Sequence, residues 1–491
     1  MGMRQGSDYW SAAQTPATTA KRWWLIVAMG CAIWALSQAR AATTAPPDTL
    51  QAALLAAYNS NPVLIAERAK LRATDEQVAQ ALGNWRPGID IVSSIGRSHQ
   101  TLPNQGPSGN GEFDGTPHGY GIELKQPLFR GFRSTAQLSA AENLVLAERA
   151  RLDAAEQQLF LDTATAFLDL VRDIALCEAT RKDEAGLRKK LDEVEVRYAA
   201  GDLTQTDVHQ AQSRLARSHR NRVQAENAIR QDIPRYRRLT GSEAPANPIA
   251  PDLTLDGPSD LEHVVDLAMV QNPNVIAAAY QVDEAHAETR IAKGALLPEL
   301  ALAFSATRNW QQNSTFPDRA DNVQVMLQLN VPVYHAGTDY SRTREAVDVV
   351  AQRNADLDEA RRKAQDEAES AWRAMASAEE SLQVVKDELE SAALALQGVR
   401  EESRVGTRTT IDVLNAEQEL LDAQSELARS RHDRDLATLQ LKAAIGQLTA
   451  STLALPIELY DPREHYDEVR NKWLGTRTTP SSDTAPPEAK P

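Results

Sequence analysis

Cysteine is nearly absent from this 491-residue chain, which has only Cys31 and Cys177. Cys31 falls in an N-terminal segment that reads as an export signal, and Ala28-Met29-Gly30 before it make a poor lipid-attachment box. Without that segment, Cys177 is the only cysteine left and no intramolecular disulfide can form, so an exported chain must gain its stability from packing and assembly. Cys177 shares an apolar helix face with Phe167 and Ile174 and reads as a small buried residue. Aromatic residues make up only 5% of the chain, which excludes a bulky globular core. Positive charge is also in deficit: the formal net charge of −15 argues against nucleic acid as a partner. Proline is missing from Leu128 to Ile233 and again from Val333 to Leu455.

No hydrophobic run reaches the length of a membrane-spanning helix. The longest, Trp23 to Leu36, follows Lys21-Arg22 and precedes Ala39-Arg40-Ala41, a small-x-small cleavage site, so residues 1–41 are expected to be a removable signal. Their loss takes away four basic groups and one acid and leaves a charge near −18. A mature chain that enters a membrane must therefore do so with strands.

What the chain does contain is a duplication. Asn61-Pro62 returns as Asn272-Pro273 and Pro87 as Pro298, while Pro127, Gly201 and Asp207 return as Pro332, Gly406 and Asp412. The spacing predicts a repeat over 42–239, a Pro-rich linker over 240–258 and a second repeat over 259–460, then a tail over 461–491 whose end is expected to be disordered. Helical periodicity covers about 48–85, with Asp48 as the expected cap and a break at Asn61-Pro62, and returns over about 260–297. Strands are expected over about 89–102, 118–129, 299–310 and 321–333. Val323, Val325, Leu327, Leu329 and Val331 alternate with Gln324, Gln328 and Asn330, the pattern of a strand with one apolar and one wet face.

Very long helices follow each strand pair, over about 134–200 and 341–405, with shorter returning helices over 205–239 and 409–447. Sixty-seven residues of helix span ~100 Å. Val350, Leu357, Ala364, Ala371, Ala378, Val385, Ala392 and Val399 keep a strict seven-residue spacing. Ala368, Met375, Leu382, Leu389 and Leu396 form a second such seam, and Leu138, Val145, Leu152, Leu159 and Ala166 a third in the first half. Seams of this kind favour left-handed coiled packing. Gly201 and Gly406 suit left-handed helix C-caps, and the threonines after them suit the next N-caps.

Four strands cannot close a barrel, and open edges are not tolerated in lipid, so closure calls for several chains. Two copies give eight strands, whose interior side chains fill; three give twelve and a barrel wide enough to conduct. The expected fold is thus mainly α with transmembrane β: two strand-pair and helical-hairpin repeats per chain. Three chains would form a 12-stranded β-barrel continuous with a 12-helix α-barrel.

Val405-Gly406-Thr407-Arg408-Thr409-Thr410-Ile411-Asp412-Val413-Leu414-Asn415-Ala416 resembles the second helical turn of the TolC family of outer-membrane export channels. The Asn-Pro pairs, Gln126-Pro127-Leu128-Phe129-x-Gly131 and Leu441-Lys442-Ala443-Ala444-Ile445-Gly446 resemble that family too, and the likeness runs from about residue 48 to 460. The resemblance implies a homotrimer in the outer membrane with a long periplasmic extension, joined through a periplasmic adaptor protein to an inner-membrane transporter that supplies the energy. Drugs, small toxic compounds or secreted proteins are the cargo classes it implies, and the residues do not separate them.

By position, the resemblance makes Arg408, Asp412 and Asp207 residues of a periplasmic gate. Two departures stand beside them: Ser403 replaces a family tyrosine and Asn415 replaces a second acid. The turns at Gly201, Gly406 and Thr407 would meet the adaptor. Asp412 is expected to form a ring of three carboxylates, against the plainer reading that it caps a helix. Glu112, Asp114 and His118 in the Gly-rich stretch Pro103–His118 lack ligand-like spacing and read as an exposed strand-connecting loop, so no metal or other cofactor is expected. His209 and His219 read as surface residues. No paired catalytic carboxylates, nucleophile elbow or phosphate loop is present, so enzymatic activity is not expected. The rival reading is a periplasmic coiled-coil adaptor, which needs its small β-domain between the two arms of one hairpin. A passive uptake porin would spend most of its length on strands.

Overall fold

The computed structural model describes residues 48–102, 111–251, 253, 260–311 and 319–477. The expected signal over 1–41 and tail residues 478–491 lie outside the described residues. Among the described residues no helix is long and apolar enough to cross a membrane.

The same order of elements occurs twice. The first half begins with α1 (Leu50–Ser60) and α2 (Pro62–Gly83). The cap of α1 is Thr49 rather than Asp48: Thr49 has extended backbone, and its hydroxyl accepts from Ala52 N at 3.2 Å. Asn61 does more than interrupt the helices. Its side chain accepts from Val63 N at 2.9 Å to cap α2, and its Nδ2 donates to the Leu239 carbonyl at 3.0 Å. Pro62, in the first helical position, loses no hydrogen bond there. In the second half α5 (Leu261–Gln271) and α6 (Pro273–Gly294) meet in the same way: Asn272 accepts from Asn274 N at 2.9 Å and donates to the Ala444 carbonyl at 3.1 Å. Each Asn-Pro pair thus staples a helix start to the frayed end of a helix about 170 to 180 residues away.

Strands β1 (Gly88–Ile95), β4 (His118–Arg130), β5 (Glu299–Trp310) and β6 (Ala320–Asn330) form one antiparallel sheet in the order β1-β4-β5-β6. Strand β1 is followed after two residues by β2 (Ser98–Leu102), which pairs with β3 (Gly111–Gly115). The stretch expected to be a loop over Pro103–His118 is therefore partly strand, and residues 103–110 lie outside the described residues.

Register sorts the sheet into two faces, because directly opposed residues share a side. Ile89, Leu124, Phe304 and Val325 form one row across the four strands, and Ile91, Ile122, Ala306 and Val323 the next on the same face. Asp90, Glu123, Ser305 and Gln324 form a polar row on the opposite face. The apolar side is open: Ile91 is 82% exposed and Val323 71%. Neither β1 nor β6 has a partner on its outer edge among the described residues.

The chain leaves the sheet through two residues with positive φ. Gly131 (φ 60°) passes so close to the Gly294 carbonyl that a Cβ there would clash with it. Phe132 (φ 60°) then opens α3 (Arg133–Ala199), which α4 (Gln205–Thr240) returns alongside. The second hairpin is α7 (Thr338–Arg404) with α8 (Thr410–Ala444). Both α3 and α7 have 67 residues, ~100 Å of helix. Every residue of both seven-residue seams on α7 is buried or half-buried, and Val145, Leu152, Leu159 and Ala166 of α3 are buried. The main core gathers Leu54, Tyr58, Leu64 and Leu71 of α1 and α2 against Phe160, Phe167 and Leu168 of α3, closed by Tyr236, Leu439 and Leu448. Cys177 is buried.

The tail is not wholly extended. Helix α9 (Glu464–Arg470) packs on α2, and its Val469 is 2% exposed.

Candidate functional site at the hairpin turns

Each hairpin turns at a glycine with positive φ, Gly201 (87°) and Gly406 (81°), with open space around both. The glycines are required by backbone conformation and not by crowding. Asp202 N donates to Arg197 O at 3.0 Å, and Thr407 N to Glu402 O at 3.0 Å, each bond satisfying a carbonyl of the ending helix in a Schellman-type cap. Small apolar clusters sit just behind the turns: Val194, Val208 and Ala211 in the first, and Leu396, Val413 and Ala416 in the second.

Helices α4 and α8 open with matching capping boxes. Thr204 donates from its backbone N and its hydroxyl to Asp207 Oδ2, both at 2.8 Å. Thr409 donates likewise to Asp412 Oδ2 at 2.9 and 2.8 Å, and its hydroxyl accepts from Asp412 N at 3.3 Å. The bonds from the Thr409 backbone and hydroxyl hold the Asp412 carboxyl below its ordinary value, and the nearby Arg408 charge adds to this. The same bonds from Thr204 act on Asp207. Both acids are therefore anionic at neutral pH, and each is a helix cap. Oδ1 of Asp412 takes no part in the box.

Arg408 Nε donates to Glu402 Oε2 at 2.8 Å, on its own hairpin. Within one chain this pair stays inside the second hairpin. Ser403 is half-buried, and its carbonyl accepts from Gly406 N at 3.1 Å. Asn415 is where the hairpins meet. Its Oδ1 accepts from Arg214 Nη2 at 2.5 Å, while Arg214 Nη1 donates to the Leu414 carbonyl at 3.1 Å. Arg214 was not legible as a partner, because it lies 201 residues from Asn415 and no local pattern joins them. An open polar groove surrounds this link, lined by Asp183, Arg214, Arg217, Ser218, Asn415 and Glu419.

Further from the turns, a charged knot joins α3, α4 and α8. Asp169 accepts from Arg172 Nη1 at 2.9 Å and Arg235 Nη1 at 2.8 Å, and its Oδ1 lies 3.0 Å from His432 Nε2. Asp433 Oδ1 lies 2.8 Å from the other ring nitrogen. Burial pulls the imidazolium down, but its bonds to the Asp169 and Asp433 carboxylates outweigh that, and its net shift is upward. Periodicity did not reveal this knot either: His432 reads as one more polar residue of a helix.

The remaining polar candidates do not converge. His209 is exposed and near Gln212, and His219 Nδ1 lies 3.2 Å from Glu184 Oε1 on α3. Arg97 Nη2 donates to Asp114 at 3.2 Å, and His118 stacks on Trp310 with ring centres 5.1 Å apart. Among the described residues no cluster of three or more His, Cys, Asp or Glu could hold a metal.

The sequence matches the model of the family described as outer membrane efflux protein over residues 53–242 and over 264–447. It is 31% identical over 435 residues to the outer membrane efflux protein BepC of Brucella suis biovar 1, covering 88% of this chain and 92% of that one. It is 26% identical to the outer membrane protein TolC of Vibrio cholerae, covering 80% and 89%. In fold it is similar to the Campylobacter jejuni CmeC outer membrane channel, with a TM-score of 0.73 at 14% identity over 86% of this chain and 89% of that one.

Proposed function

The chain belongs to the outer membrane efflux protein family, and from that premise we propose how its geometry makes a duct. The protein is an outer-membrane exit duct of efflux and secretion systems, and its family is one of channels rather than enzymes. The observation that carries the reading is the four-stranded sheet with one apolar face, one polar face and two edges unpaired among the described residues, continuous with hairpins ~100 Å long. In lipid such edges must be closed, and identical neighbours supply the closure.

In this reading residues 42–239 and 259–460 are two copies of one wall element, and three chains give twelve strands around a polar lumen and twelve helices below it. The row Asp90, Glu123, Ser305 and Gln324 lines the lumen, and Ile89, Ile91, Val323 and Val325 meet lipid. A periplasmic adaptor seats on the turns at Gly201, Gly406 and Thr407 and links the duct to an inner-membrane transporter. Asp412, Asp207, Arg408, Ser403 and Asn415 form the periplasmic constriction. What supports this is their common position at the hairpin ends, the fixed charge of both capped acids, and the tie between hairpins at Arg214 and Asn415. Three Asp412 carboxylates around one axis would attract cations.

Fractionation and planar-bilayer recording test the reading together. Purified from the outer membrane, the protein should resist carbonate extraction and insert as a conducting pore. A carbonate-soluble protein that inserts no pore contradicts it.

A further inference from the structure

After α8 the chain turns back toward the sheet, and its contacts record the direction. Ala450 N donates to Glu156 Oε1 at 2.6 Å on α3. Arg149, one to two turns nearer the sheet, lies over the Tyr466 ring at 5.2 Å, and Glu142 pairs with Arg470 at 3.2 Å. From Glu156 to Glu142 the segment climbs ~20 Å of helix. Along α1, α2 and the residues that follow α2 the partners rise in parallel. Tyr58 Oη accepts from Tyr460 N at 3.0 Å, Asp75 Oδ2 lies 3.1 Å from His465 Nδ1, and Arg86 Nη1 donates to the Lys472 carbonyl at 2.8 Å.

The climb ends at an exposed apolar tip. Trp473 is 66% exposed and Leu474 is 91% exposed, although the strap leading to them is held at every turn. The Arg86 guanidinium lies 4.6 Å from the Trp473 ring centre, which fixes where the tip stands. Gly475 (φ 103°) then reverses the chain, and Lys472 Nζ donates to the Arg477 carbonyl at 2.7 Å, closing a small loop around the two apolar residues.

Arg86 sits three residues before Ile89, where the open apolar face of the sheet begins, ~10 Å away along extended chain. Trp85, beside it, shares a cleft with the exposed Leu128, Phe129 and Phe132. Aromatic residues gather again at the far end of the sheet, where His118 and Tyr120 pack on Trp310. Aromatic girdles at both ends of an apolar band mark the two membrane interfaces of a strand barrel. The loop at Trp473 stands level with the girdle on the helix side and is flanked by Arg470, Lys472 and Arg477.

We propose that Trp473 and Leu474 form a membrane-interface anchor that dips into the periplasmic-side leaflet, with Arg470, Lys472 and Arg477 facing its phospholipid headgroups. The indole sits at headgroup depth, where Trp is favoured, and the leucine reaches the acyl boundary. The strap thereby ties the helical core to the bilayer in addition to the strands. It follows the last residue of the family match, 447.

The proposal rests on the outer-membrane reading, and site-directed spin labelling separates the two. With Cys31 and Cys177 replaced by serine, single labels are placed by Leu474→Cys, Leu327→Cys and Asp202→Cys in the full protein reconstituted in phospholipid vesicles. Collisions are measured with oxygen, which partitions into lipid, and with a water-soluble nickel chelate. The Leu327 label on the apolar sheet face should favour oxygen, and the Asp202 label at the far turn should favour nickel. The anchor requires the Leu474 label to lose its nickel collisions and group with Leu327. Nickel access equal to Asp202 shows a tip in water and overturns it. A Leu474 label hidden from both reagents shows a neighbouring protein surface and overturns it too. Nickel access at Leu327 would instead overturn the outer-membrane reading itself.

Discussion

Helices α3 and α7 have the same length and the same seven-residue seams, yet they are buried differently. Twenty-three residues of α3 are buried and only seven of α7, so the first hairpin carries the protomer's own core while the second is half-finished. The buried residues of α3 include Phe160, Phe167 and Leu168, packed with α1, α2 and the chain ends that wrap them. Those of α7 are alanines and aliphatics confined to its seams, and its other side leaves Val347, Val384 and Leu394 in the open. The same hairpin occurs twice, and burial differs between the copies: one carries the core of the chain, and the other leaves the surface that neighbouring chains would cover in the proposed duct.

Substitutions on the two long helices should therefore separate folding from assembly. Phe167→Ala removes a fully buried ring and is expected to cost about 3–5 kcal/mol in chemical denaturation. Leu394→Asp, at a position 63% exposed, should leave helical circular dichroism unchanged and reduce the oligomer recovered in mild detergent. Equal loss of folded protein from both would erase the contrast.

The next test is finer, because the Asn-Pro staples serve both halves alike. Asn61→Ala and Asn272→Ala each remove a cap and leave a helix-end carbonyl without its donor, at an expected cost of about 1–3 kcal/mol. The Asn61 change should be felt through the whole melting transition, since Leu239 belongs to the main core. The Asn272 change should loosen mainly the second half, which hydrogen exchange along α8 would show.

These staples also show what the sequence discloses and what it withholds. Local signals were readable: the strand alternation at Val323 to Val331, the α7 seams and the glycine turns all follow from short-range geometry. The break at Asn61-Pro62 was visible, but the carbonyls it satisfies were not, because they lie across the fold. The cap of α1 differed by one residue, since Asp48 and Thr49 are both good capping types and only the backbone distinguishes them. Helix α9 escaped notice for a different reason. Seven residues are too few for a period, and contacts to α2 and α3 hold them in place. At the candidate gate, positions came from resemblance, while the Arg214 tie needed the structure.

The charged knot offers a comparison in pH. His432 binds its proton more tightly folded than unfolded, so its contribution is complete below the ordinary imidazole value of about 6.5 and is lost as pH rises through the elevated folded value. Asp169 is shifted downward: burial alone would raise it, but His432, Arg172 and Arg235 outweigh this. Its contribution is present above about 4 and is lost as pH falls through the depressed folded value. Asp173 and Asp232 also face Arg172, and Asp232 is pushed up to about 6 by burial and its acidic neighbours. The tie between the halves should be firmest from about pH 4 to 6.5. Melting curves of the wild type should fall between pH 6 and 8 more than those of His432→Gln. Parallel curves would remove histidine from the account.

Asp412→Asn should have the smallest effect on stability, because the amide oxygen can still accept from Thr409 and keep the capping box. Its effect should appear in function, as reduced cation selectivity of bilayer conductance. Unchanged selectivity would leave Asp412 as a helix cap alone.

The central claim concerns the open edges of the sheet, and disulfide trapping reaches it most directly. Cysteines stepped along β1 at Ile89, Ile91 and Ser93 are combined with cysteines along β6 at Val323, Val325 and Leu327, with the native cysteines replaced by serine. Oxidation in outer membranes should link β1 of one chain to β6 of the next and yield a covalent ladder that stops at three chains. A ladder that runs past three, or chains that never link, would contradict a closed three-chain barrel.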